Sequence, residues 1–215
     1  TLFPYTTLFR LFLASRAARL LCFVPGVRAL WVGNSVSFDA ATEKSDIDVV
    51  IVVEKNKLWT ARFFSHIVLR VFRMRTVKRA HAGRICLSFF LTEEGFADPL
   101  FQNEKDVYMR AWIGHLLPVY DPEKLLAVFR HSAGNIGVYF GSADAPPLYT
   151  VPQPVSSFYF QRVISFFCGA WFECSVRRIQ TFVLRRRGIF SCADGGVVIS
   201  PTMIKLHEND RRAWY

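Results

Sequence analysis

The stretch SDIDVVIVV, residues 45–53, limits the fold more than any other segment of the chain: five of its last six residues are Val or Ile. β-branched side chains crowd a helical backbone but pack well on a pleated surface, and the run is too short for a buried helix. It reads as a central strand. On a strand, side chains i and i+2 share a face, so Asp46 and Asp48 project side by side at its mouth while Ile47 enters the opposite side. Two adjacent carboxylates repel, and a divalent cation removes that penalty; magnesium takes oxygen ligands from one or two carboxylates, water and substrate phosphates. A polar strand entrance on an exposed edge would present the same residues without a metal.

Around this strand the pattern gives an α/β or α+β order. LFLASRAARLLC, residues 11–22, has helical spacing with Arg16 and Arg19 on its polar side, and Pro25-Gly26 ends it. VRALWVG (27–33) reads as a strand, Leu58 to Arg75 as a helix with Phe64, Ile67, Val68, Val71 and Met74 on its apolar side, and ICLSFFLT (85–92) as a third strand. The sheet is expected to be mixed and flanked by helices. DPEKLLAVFR (121–130) starts another helix, with Asp121 as cap and Pro122 in the first turn. GSADAPPLYTVPQP (141–154) carries four prolines and reads as a linker between residues 11–140 and a mainly helical C-terminal region, 155–215. In that region, residues 156–187 read as one long helix stopped by Gly188, followed by a Gly195-Gly196 turn, a VVIS strand and a final PTMIKLHENDRR helix. The aromatic residues Phe158, Tyr159, Phe160, Phe166, Phe167, Trp171 and Phe172 lie on both sides of the long helix and are expected in the core or a helix–helix interface, not in a base-stacking platform.

A chain of 215 residues, 52% hydrophobic, is long enough to bury a core, and its formal net charge of +10 favours polyanionic partners such as nucleotides, RNA or an acidic membrane surface. The cysteines (Cys22, Cys86, Cys168, Cys174 and Cys192) are odd in number and form no CxxC pair, which points to reduced thiols in a cytoplasmic protein. The longest uncharged run, residues 145–161, is interrupted by prolines, so no integral membrane segment is expected. His66, His81, His115, His131 and His207 make no HExxH, and no Walker-type phosphate loop occurs. TLFPYTTLFR, residues 1–10, resembles the translation of a sequencing-library adapter, which would place the protein's own sequence from residue 11 and make the chain a metagenomic fragment.

Upstream of the aspartates, VGNSVSFDAATEKSDID ends a strand in Gly33, adds the small polar pair Asn34 and Ser35, and reaches Asp46 after a short polar loop. This segment resembles the polymerase-beta-type nucleotidyltransferase superfamily, whose signature is a Gly-Ser pair after one strand and an Asp-x-Asp on the next. The resemblance covers residues 27 to about 92 and implies a nucleotidyltransferase-like domain over residues 11–140; the ending MIKLHENDRR resembles bacterial proteins of this type. It implies Asp46 and Asp48 as the catalytic metal ligands for magnesium or manganese, Ser35 as a phosphate-contacting serine, Gly33 or Asn34 as the turn, and Ser45 as the strand-entrance cap. The implied reaction moves a nucleoside monophosphate from a nucleoside triphosphate to an acceptor hydroxyl, RNA or another, with release of pyrophosphate. The alternative is a catalytically inactive nucleotide- or RNA-binding module. In place of the family's third carboxylate the third strand offers Ser88, with Glu93 and Glu94 only at its far end. Arg62, His66, Arg70 and Arg73 form a basic stripe, with no acidic residue between Lys55 and Arg84, that could track a triphosphate or nucleic acid. Arg185, Arg186 and Arg187 complement a helix C-terminus or grip RNA or anionic lipid.

Overall fold

The run that dominates the sequence is strand β2 (Ile47–Val53), buried at every position except the half-buried Asp48. The computed structural model describes residues 5–76, 82–134, 150–188 and 197–206. Strand β2 pairs antiparallel with β1 (Val27–Val32) and parallel with β3 (Ile85–Thr92). The sheet is six-stranded and mixed, in the order β4-β1-β2-β3-β6-β5, with β4 at Leu117–Tyr120, β5 at Val197–Ile199 and β6 at Met203–Leu206. The mixed α/β class expected from the sequence is what forms.

Both faces of the sheet are covered, which is why β2 is apolar without alternation. Ile47, Val49, Ile51 and Val53 enter one core with helices α1 (Tyr5–Leu21) and α3 (Leu58–Val71); Val50 and Val52 enter the other. That second face carries the short helices α4 (Pro99–Gln102), α5 (Val107–His115) and α6 (Leu125–Ser132). A four-residue turn of helix, α2 (Asn34–Ser37), follows β1, and a 3-10 turn (Glu93–Ala97) follows β3. Helix α1 begins at Tyr5, six residues before the expected start, so part of the adapter-like decapeptide lies within it.

Several expectations are corrected. The long C-terminal helix is two helices, α7 (Val155–Phe167) and α8 (Ala170–Arg186), broken at Cys168 and at Gly169, whose backbone is extended. The break lets the Cys168 carbonyl accept from Lys57 Nζ and turns α8 across α3. Glu173 then caps α3, its carboxylate accepting from Trp59 N (2.9 Å), Thr60 N (2.8 Å) and Thr60 Oγ1 (2.6 Å). Helix α3 has no side-chain cap from its own residues. Its buried side carries Leu58, Trp59, Ala61, Arg62, Ser65 and Leu69, whereas Ile67 and Val71 face outward: the helix is rotated from the orientation its apolar residues suggest.

Residues 203–206, expected in a helix, are strand β6, because the β5–β6 hairpin lays Lys205 opposite Phe89 and completes the edge of β3. The region beyond 154 thus shares a sheet and a core with the rest, Val176, Leu184 and Ile204 joining the cluster of β2. Helix α6 starts at Leu125, not at Pro122; Asp121 still caps it by accepting from Leu125 N (2.8 Å) and Leu126 N (2.9 Å). The aromatic residues of α7 and α8 are mostly outside the core: Tyr159, Phe166, Phe167 and Trp171 are 65–84% exposed. Phe172 is half-buried and stacked on Phe64 at 5.9 Å, and Phe160 meets Phe23 edge-on at 6.0 Å. Residues 141–149, Gly195-Gly196 and HENDRR lie outside the described residues. No helix among the described residues is long and apolar enough to cross a membrane.

Candidate metal centre

Three segments converge at one end of the sheet. Val32 pairs with Val49, and the next amide, Gly33 N, donates to the Asp48 carbonyl at 3.0 Å, so the turn after β1 lies against the entrance of β2. On the other side Ile47 pairs with Ile85 and Asp48 with Cys86. Asp48 shares the face of Val50 and Val52, and Asp46 projects alongside it. Ile85 and Leu87 point into the opposite core, which leaves Cys86 on the aspartates' face. One ligand atom each from Asp46, Asp48 and Cys86 lies within 4.8 Å of the others.

Asp48 Oδ1 is buried with no hydrogen-bond partner among the described residues, a state that costs about 1–3 kcal/mol when nothing satisfies it. A bound cation would satisfy such an oxygen. Burial first, and then the Asp48 charge, pushes the Cys86 thiol up to about 12, so it is a protonated neighbour at neutral pH. Two carboxylate oxygens suit magnesium or manganese, which complete their shells with water and phosphate oxygens; a thiolate set would suit zinc. The residues present therefore fit a hard divalent ion.

The turn beside them is tightly built. A Cβ on Gly33 would sit 3.2 Å from both Leu116 Cδ2 and Trp112 Nε1, tighter than most such contacts, so any larger residue would press on both neighbours. Asn34 takes the left-handed conformation (φ 53°) that asparagine tolerates best after glycine, and its Oδ1 accepts from Trp112 Nε1 at 2.9 Å. Ser35 is half-buried in the same turn. The Ser45 hydroxyl is used within its own loop, where Thr42 N donates to it at 3.0 Å. Arg10, only 4% exposed, donates to the Thr42 and Ser45 carbonyls and pins that loop just ahead of Asp46.

The remaining candidates stand elsewhere. Glu93 pairs with Arg28 at 2.6 Å and Glu94 with Lys55 at 3.3 Å, at the opposite end of β3. Six residues of strand, about 20 Å at ~3.3 Å per residue, separate Thr92 from Cys86, so neither glutamate completes the centre. Cys86 and Ser88 occupy that ground. The basic stripe does not face the aspartates either: α3 packs on the other face of the sheet, Arg62 is buried against α8, and Arg70 and Arg73 are exposed. Sequence reasoning missed Cys86, Trp112 and Arg10. The signal for Cys86 was the parallel register of β3 on β2; Trp112 and Arg10 have none short of the fold. Comparison of the chain with family models, curated proteins and solved structures returns no match.

Proposed function

We propose that the protein is a magnesium-dependent nucleotidyltransferase of the polymerase-beta type, moving a nucleoside monophosphate from a nucleoside triphosphate to an acceptor hydroxyl. The observation that carries this reading is the buried Oδ1 of Asp48, unpartnered among the described residues, beside Asp46 and set against the close-packed Gly33 turn at one end of the sheet. Asp46 and Asp48 would hold the ion. When bound, magnesium or manganese neutralises phosphate oxygens and stabilises charge in an in-line displacement.

The chain's own residues position the reactants. Gly33 permits close approach of the backbone, Trp112 holds the Asn34 corner, and Ser35 offers a hydroxyl to the phosphates from the same turn. Ser45 keeps the loop before Asp46 closed, which preserves the spacing of the two carboxylates. In the reaction the acceptor oxygen bonds to the α-phosphorus, the bond to the bridging oxygen breaks, and pyrophosphate leaves with its electron pair. The hydroxyl proton passes to solvent. RNA or another hydroxyl compound is the acceptor, in keeping with the net charge of +10.

A second reading, a nucleotide- or RNA-binding module without turnover, is favoured by one observation: Cys86 and Ser88 stand on β3 where the resemblance places a third carboxylate. Neither takes a proton from an attacking hydroxyl as a carboxylate does. Labelled-nucleotide transfer with magnesium, compared among wild type, Asp46→Ala and Asp48→Ala, separates the outcomes. Transfer lost in both variants is expected; transfer surviving both in folded protein refutes the reading, and magnesium-dependent binding without transfer selects the second.

A further inference from the structure

On the face of the sheet opposite the aspartates, α3 and α8 leave a cleft of about 230 Å³ between them. Its polar lining is Arg62, His66, Arg70, Arg75, Gln180 and Arg187, and no carboxylate contributes. None of the four arginines forms an ion pair among the described residues. Arg62 is 8% exposed; its Nη1 donates to Gln180 Oε1, but among the described residues its Nε is buried without a partner, as is His66 Nδ1. Gln180 is held in place because its amide nitrogen donates to the Trp59 carbonyl at 2.9 Å. Burial and then Arg75 and Arg187 push Arg62 down to about 10, and burial with Arg62, Arg75 and Arg187 holds His66 neutral. Positive charge is concentrated here with no carboxylate opposite it among the described residues.

We propose that this cleft binds a phosphate-class anion of phosphate or pyrophosphate size, held by Arg62, Arg70, Arg75 and Arg187 with His66. Guanidinium groups recognise phosphate oxygens in bidentate fashion, and an anion would supply the partner that Arg62 Nε lacks. The volume falls below the roughly 300–1,000 Å³ of pockets that enclose whole small molecules, so the cleft seats the anionic group and not a base and sugar. Arg70 and Arg75 also wall a neighbouring concavity of about 280 Å³ with Arg73 and Arg84, which extends the basic ground for a longer oligophosphate or a nucleic-acid backbone. Because two helices build the site, its occupant ties α8 to α3. The proposal stands apart from the aspartate centre and survives if that centre binds no metal.

The test is a calorimetric titration of the full chain carrying Asp48→Asn, in EDTA, with pyrophosphate, so the aspartate centre takes no part. One-to-one saturable binding is expected. The exposed pair Arg70→Gln and Arg187→Gln should weaken it at least about tenfold, since charge-assisted contacts are lost. Arg16→Gln with Arg19→Gln removes equal charge from α1 and should leave affinity within about twofold. Absence of saturable binding, or equal weakening by the two pairs, overturns the proposal. Displacement by a nucleoside triphosphate, by a single-stranded RNA oligomer or by neither supports the site and names its source as a nucleotide tail, a nucleic-acid backbone or a free oligophosphate.

Discussion

Asp48→Asn should make the metal-free protein more stable while removing its response to magnesium. Ligand atoms of the two half-buried aspartates lie within 4.8 Å of each other. At that separation two unit charges repel by about 3.5 kcal/mol at an effective dielectric near 20, and by about 0.9 kcal/mol in water. The substitution cancels this repulsion, and the amide it introduces can donate to Asp46. The buried orphan of Asp48, worth about 1–3 kcal/mol, is relieved only in part. A net gain of about 1–3 kcal/mol is expected in EDTA, each kcal/mol raising Tm by about 2–4 °C for a chain of this size. Magnesium reverses the order: at a hundred times Kd it adds about 2.7 kcal/mol to wild type and nothing to the variant. Thermal melts of both proteins, with EDTA and across a magnesium series, measure this directly. A variant less stable than wild type in EDTA, or a magnesium shift equal in both, would refute the account of the aspartate pair.

Glu173→Ala should cost about 2–4 kcal/mol in urea unfolding, because three donors at the start of α3 lose a charged acceptor; a loss under about 0.5 kcal/mol would deny the cap. His66 is held well below its ordinary value by burial and by Arg62, Arg75 and Arg187, all still charged at acid pH, with Arg70 beside them. The unfolded chain therefore binds the proton more readily, and stability present above about pH 6.5 should be lost as pH falls, by up to about 1.4 kcal/mol per unit. Urea unfolding of wild type and His66→Gln at pH 7, 6 and 5 isolates that slope as their difference, and identical slopes would exclude His66 as its source. Cys86→Asp places a third carboxylate opposite Asp48. It should lower Tm in EDTA, tighten magnesium binding at least about tenfold by calorimetry and raise any nucleotide transfer.

Much of this architecture is legible in the residues themselves. A run such as Val49–Val53 has no apolar alternation because both sheet faces are covered, and five β-branched residues leave little choice but a central strand. The aspartate pair is legible for the same reason: a period of two needs no tertiary knowledge. What fails depends on partners remote in sequence. Residues 203–206 become a strand because Phe89, more than a hundred positions earlier, offers an open edge. Arg62, spaced like its neighbours on an exposed stripe, is buried because α8 crosses α3 at that turn, with Gln180 in place to receive it. Spacing reveals which side chains share a helix face but not what meets that face. That β3 carries no acidic residue is plain in the sequence, whereas the place of Cys86 opposite Asp48 requires the register of two parallel strands.

The cap that Glu173 provides also bears on how the chain is made. During synthesis the residues of α3 emerge more than a hundred positions before the carboxylate that completes the helix, and β3 precedes β6 by a similar distance. Contacts of such separation close slowly. A nascent chain ending before residue 170 would hold its central strands with the first turn of α3 unsatisfied and one edge of the sheet open. Until β6 arrives, that edge is open to pairing with other chains, so C-terminal truncation before residue 203 should promote aggregation.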